Sequence, residues 1–131
     1  MNQHTILIVD NEKSVVNALR RILWKEGYRI LTAHSGNEAL SKMETFPCQL
    51  VLADQKMPEM SGMELLKTVK EKYPDTIRIL ITAQIDFDQS NRDIEQDFVY
   101  KCITKPWEPD ELKMIIRKGL ERFREPTQKR D

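Results

Sequence analysis

Residues 49–66 read QLVLADQKMPEMSGMELL. The opening run, residues 49–53, is apolar and as long as a buried strand, and it ends against an acid, Asp54. Met57-Pro58 and Ser61-Gly62 then punctuate a turn. From there the period changes. Over residues 61–72, Met63, Leu65, Leu66 and Val69 recur at helical spacing, Ser61 is available as an N-cap, and Pro74 lies beyond the end. A strand that delivers an acid to its carboxyl end, a tight loop and a helix that returns to the sheet make one β-α unit.

The same grammar extends in both directions. Residues 5–9, 77–82 and 98–103 are further short runs rich in β-branched residues. Residues 28–33 form a weaker run with alternating polarity, as expected nearer a sheet edge. Residues 12–26 place Val15, Val16, Leu19, Ile22 and Leu23 on one stripe, with Gly27 where a helix ends. Residues 37–45 offer Ala39, Leu40 and Met43 for burial. Residues 86–96 are polar, with Ile94 the only aliphatic residue after Ile85, and carry a weaker helical signal. Residues 109–123 close the pattern with Leu112, Ile115, Ile116 and Leu120 on one face and Pro109 in a tolerated first-turn position. Five β-α repeats favour an α/β fold with a mainly parallel sheet, right-handed crossovers and helices on both faces. We assign residues 1–123 to one domain and residues 124–131 to a polar tail or the start of a linker.

Composition narrows the function. At 131 residues the chain can bury a core without disulfides or metals. Lys and Arg number 21, as do Asp and Glu, so the net charge is zero and direct binding to nucleic acid through the whole surface is disfavoured. Cys48 and Cys102 sit in apolar stretches without a CxxC pairing and read as reduced core thiols. No signal-peptide pattern and no run of 18 apolar residues occurs, which points to a cytoplasmic protein without a membrane span.

Four polar residues end or follow the strand runs: Asp10 after ILIV, Asp54 after LVLA, Thr82 in IRILITA, and Lys105 shortly after the last run. In an open parallel sheet, ligands gather at the carboxyl ends of the strands, beside the point where strand order reverses. Two acids could hold a divalent cation, a hydroxyl could bond a phosphoryl oxygen, and a lysine could neutralise developing charge. Each residue alone is ordinarily a solvated strand-end group. Four at one edge weigh considerably against that ordinary reading.

From ILIVDNE through GYRILTAHSGNEAL, LVLADQKMPEMSGMELL and ILITA to ITKPWEPDEL, the chain resembles the response-regulator receiver family of bacterial two-component systems. The resemblance implies a flavodoxin-like (βα)5 fold with strand order 2-1-3-4-5, a Mg2+ cofactor, and a sensor histidine kinase or histidine phosphotransfer protein as phosphoryl donor. It makes Asp54 the phosphoacceptor. Asp10, Asn11, Asp54 and the backbone carbonyl of Lys56 become the metal ligands, and Thr82 and Lys105 the residues that contact the phosphoryl group and switch. The bond before Pro106 is commonly cis in this family. The chain would then be no enzyme beyond its own phosphoryl acceptance and hydrolysis. It would control an output domain or partner through the surface made by the fourth helix, the fifth strand and the last helix, which is also a candidate homodimer face.

Two positions depart from the family pattern. Asn11 stands where the second acid of a pair usually touches the metal, so magnesium should bind more weakly unless Glu12 compensates. Cys102 stands three residues before Lys105, where an aromatic switch residue is common. Tyr100 is two positions away, on the same strand face by period-two geometry, and is the alternative switch aromatic, with plain packing as the competing role.

Trp107 in KPWEP resembles a subgroup of receivers fused to regulatory or cyclic-dinucleotide output domains, or else anchors the last helix. Trp24 reads as core or rim. His4 and His34 lack metal-ligand spacing, and Arg117, Lys118, Arg122 and Arg124 read as a solvated face. A pseudo-receiver that keeps the fold without phosphorylation is the alternative function, with Asn11 in its favour. A haloacid-dehalogenase-type phosphatase would need a second Asp where Lys56 stands. A flavodoxin would need a Ser/Thr/Gly-rich phosphate loop where the chain reads DNEKS.

Overall fold

The computed structural model describes residues 3–83 and 99–123. Their elements run β1 (Thr5–Val9), α1 (Lys13–Leu23), β2 (Arg29–Ala33), α2 (Gly36–Thr45), β3 (Leu50–Asp54), α3 (Gly62–Lys72), β4 (Ile77–Ala83), β5 (Lys101–Lys105) and α4 (Pro109–Glu121). The five strands pair in parallel in the order β2-β1-β3-β4-β5. This is the flavodoxin-like arrangement, with the order reversing between β1 and β3. The expected helix at residues 86–96 and the tail at 124–131 lie outside the described residues.

Burial explains the strand composition. β1 and β3 are buried along their whole length, because helices cover both faces of the sheet, whereas β2 at the edge begins exposed. Alternate residues feed two apolar clusters. Leu7, Val9, Val51, Ala53 and Leu80 pack with Ala39, Met43, Leu65, Leu66 and Val69 under α2 and α3. Ile6, Ile8, Leu50, Leu52, Ile79, Ile81 and Ile103 pack with Val16, Leu19, Leu112 and Ile116 under α1 and α4.

The helix ends follow local chemistry. Ser61 caps α3: its hydroxyl accepts from the Glu64 backbone N–H, and the Glu64 carboxylate accepts from the Ser61 N–H, a reciprocal capping box. Pro109 opens α4, capped by Glu108. α1 tightens into a 3-10 turn at Trp24–Glu26 and stops at Gly27, whose φ of 88° suits glycine.

Three sequence expectations need correction. β5 spans Lys101–Lys105 instead of residues 98–103, because its pairing with β4 begins at Ile79 opposite Lys101 and runs to Ala83 opposite Lys105. Tyr100 therefore precedes the strand, and period-two alternation does not carry it to the face of Cys102. Its ring lies against Gly119 of α4 and under the Arg122 guanidinium, in the second cluster, while Cys102 faces the first. Trp24 is neither core nor rim; it is 61% exposed. Cys48 and Cys102 are buried free thiols, as expected.

Candidate functional site

The carboxyl edge of the sheet gathers the residues expected there. Asp10 continues the inward stripe Ile6-Ile8, Asp54 continues Leu50-Leu52, and Lys105 continues Ile103, so strand alternation aims all three to the same side. Lys105 Nζ stands 2.7 Å from Asp54 Oδ1 and 3.8 Å from Asp10 Oδ2. The Lys105–Pro106 bond is cis. Thr82 follows Leu80 on the opposite parity, is buried, and lies one residue past Ile81, the β4 partner of Asp54. The four strand-end residues thus share one edge.

The two acids differ. Asp10 is fully buried; its Oδ1 accepts from the Glu12 backbone N–H at 2.8 Å, while Oδ2 is buried without a hydrogen-bond partner. Burial pushes the Asp10 carboxyl above its ordinary range, helped by the charges of Asp54 and Glu12, against the lowering effects of the Glu12 N–H and Lys105. At Lys105 burial works against the ammonium, yet the hydrogen bond to Asp54 and the charges of Asp54, Asp10 and Glu12 together hold its pKa above the usual value. Lys105 therefore stays charged through neutral pH. A buried carboxylate oxygen that lacks a hydrogen bond, with only a lysine 3.8 Å away and a second carboxylate nearby, is a poor structural feature and a good cation ligand. Among the described residues no three His, Cys, Asp or Glu side chains converge as a metal cluster. Asn11 and Glu12 are exposed at the mouth of the site, as is Lys56.

The loop after Asp54 is fastened in a way the sequence did not reveal. The Gln55 N–H donates to Ile81 O at 2.8 Å, the Gln55 carbonyl accepts from Gly62 N–H at 3.0 Å, and its side-chain Oε1 accepts from Met63 N–H at 2.9 Å. A Cβ on Gly62 would stand 2.4 Å from the Asp54 carbonyl oxygen. Glycine at the start of α3 is therefore what lets the helix close on the backbone of Asp54. The Ser-Gly pair signalled a turn; the approach to Asp54 depends on a contact across the loop that spacing alone does not disclose. Trp107 is partly buried against the second cluster.

A model of the response regulator receiver domain matches residues 6–117. The chain belongs to the response regulator receiver domain family. Among curated receivers' parent proteins, the hydrogenase transcriptional regulatory protein HoxA of Cupriavidus necator is 38% identical over 119 residues, covering 91% of this chain and 24% of that protein. The chain thus spans about a quarter of the length of that relative. Among solved structures, a CheY-like response regulator receiver from Methanospirillum hungatei JF-1 superposes with a TM-score of 0.84 at 30% identity, covering 92% of this chain and 95% of that one. The signal receiver domain of an HD domain-containing protein from Pseudomonas fluorescens Pf-5 gives a TM-score of 0.84 at 29% identity, covering 92% and 96%. This receiver therefore has its family's fold. No helix among its described residues is long and apolar enough to cross a membrane.

Proposed function

We propose that this receiver accepts a phosphoryl group on Asp54 from a histidine kinase or a histidine phosphotransfer protein, and that the added charge switches the surface it presents to an output domain or partner. The observation that carries the reading is the ion pair of Lys105 with Asp54 beside the orphaned oxygen of Asp10. Lys105 holds Asp54 Oδ1, which leaves Oδ2 to attack phosphorus as the P–N bond of the donor phosphohistidine breaks and its electron pair returns to the imidazole. Positioning and charge neutralisation supply most of the catalysis in such a transfer. Asp10 and Asp54, with the Asn11 amide and the Lys56 backbone carbonyl, would hold Mg2+, which when bound offsets the charge on the phosphoryl oxygens. Thr82 and Lys105 would then move toward the new phosphate.

The switch is a shift of population between two states, so the phosphoryl mimic beryllofluoride should favour the same state as phosphorylation. The hydrogenase regulator and HD-domain relatives favour an output domain as what it controls. A homodimer through the surface of the fourth predicted helix, β5 and α4 is a further mode of output. Tyr100, the candidate switch aromatic, has its ring packed against α4, which supports the packing role beside the switching one. Asn11 favours the pseudo-receiver as a second reading. Hydrogen exchange with and without beryllofluoride and magnesium separates the two. The switching receiver predicts altered protection across residues 82–107, abolished in Asp54→Asn. Unchanged protection with the mimic bound at Asp54 would leave the static pseudo-receiver as the better account.

A further inference from the structure

Asp10, Asp54 and Lys105 leave the site with one net negative charge, since two carboxylates face one ammonium. A divalent hard cation prefers more anionic oxygen than that. Asn11 adds none. Glu12, the next residue, is held at the mouth of the site by its own backbone: its N–H donates to Asp10 Oδ1 at 2.8 Å, and its extended φ and ψ of −101° and 115° place it at the N-cap of α1. An N-cap side chain ordinarily bonds a free N–H of the first turn. That of Glu12 makes no such bond, and no ion pair engages it among the described residues. Its backbone bond to Asp10 keeps the exposed Glu12 side chain beside the carboxyl edge of the sheet.

We infer that Glu12 supplies the second net negative charge that holds a divalent cation beside Asp54, in place of an acid at Asn11. The inference rests on the metal-dependent receiver reading above. Because Glu12 does not join a three-carboxylate cluster, it acts as a nearby charge on the cation and its bound waters. The buried Oδ2 of Asp10, which has the Lys105 ammonium 3.8 Å away but no hydrogen-bond partner, would be the fixed ligand, and Glu12 would set how strongly the exposed side of the site draws the ion.

Magnesium chloride titration followed by amide NMR at low ionic strength tests this on the full chain. Removing one unit charge a few ångströms from a divalent ion at the protein surface should weaken binding in Glu12→Gln on the order of tenfold, with the gap shrinking as salt is raised. Asn11→Asp in the Glu12→Gln background should restore most of the affinity. Equal affinity in wild type and Glu12→Gln would overturn the inference. So would a double variant that stays as weak as Glu12→Gln, which would place the effect in the loop and not in the charge. If Asp54→Asn left magnesium binding unchanged, the receiver reading would itself fail, a result distinct from either outcome.

Discussion

Gly62→Ala should both destabilise the domain and slow phosphoryl acceptance. A Cβ at this position would stand 2.4 Å from the Asp54 carbonyl oxygen, 2.9 Å from its carbonyl carbon and 2.8 Å from Leu80 Cδ1. The Leu80 methyl can turn aside. The Asp54 backbone cannot, because Gln55 N–H is tied to Ile81 O and Gly62 N–H to Gln55 O. Overpacking of this kind costs roughly 1–3 kcal/mol. Alanine recovers at most about 1 kcal/mol of helix propensity, and less in a first turn. A net loss of about 1–2 kcal/mol follows, together with displacement of the strand end that carries Asp54, the proposed acceptor. Urea unfolding would measure the first effect, and the rate of labelling by acetyl phosphate the second. The comparison is Gly27→Ala, where nothing lies within 4 Å of the new Cβ but φ is 88°. That change should cost on the order of 1 kcal/mol through backbone conformation alone and leave the labelling rate unaltered. A Gly62→Ala protein as stable and as quickly labelled as wild type would refute the close approach of α3 to Asp54.

Three further outcomes follow from the same structure. Because burial raises the Asp10 carboxyl, the unfolded chain gives up that proton at lower pH than the folded one, and metal-free stability falls as pH rises from the ordinary carboxylate value through the raised one. Asp10→Asn should flatten that part of the profile in urea melts between about pH 4 and pH 7; an unchanged slope would argue against a buried, metal-hungry carboxyl. Ser61→Ala removes one half of the capping box and should cost about 1 kcal/mol, seen in the unfolding midpoint. The Cys48 thiol, pushed up to about 11 by burial, should resist iodoacetamide at neutral pH in the folded protein and react readily in urea.

Much of the fold was legible because the chain repeats one unit: an apolar run ending on a polar residue, then a helix with recognisable caps. The lengths of the runs identified buried strands, and the strand-end residues Asp10, Asp54, Thr82 and Lys105 could be placed on one edge before any distance was known. Tyr100 could not be placed in the same way. Alternation holds only within a paired strand, and pairing starts at Lys101, so a face assigned by counting back from Cys102 fails at the bend. Trp24 misled for a related reason: its apolar ring suggested burial, yet it falls in the 3-10 turn after the amphipathic stripe of α1 has ended. The clamp of Gln55 and Gly62 on Asp54 was invisible because it depends on a loop folding back within van der Waals distance, which spacing does not encode.

The central claim is that Asp54 accepts phosphate because Lys105, Asp10 and a divalent cation can neutralise the charge there. Incubation with acetyl phosphate and magnesium, followed by intact mass, measures it directly. The account predicts one added phosphoryl group on the wild-type chain and none on Asp54→Asn; equal labelling of the two proteins would contradict it.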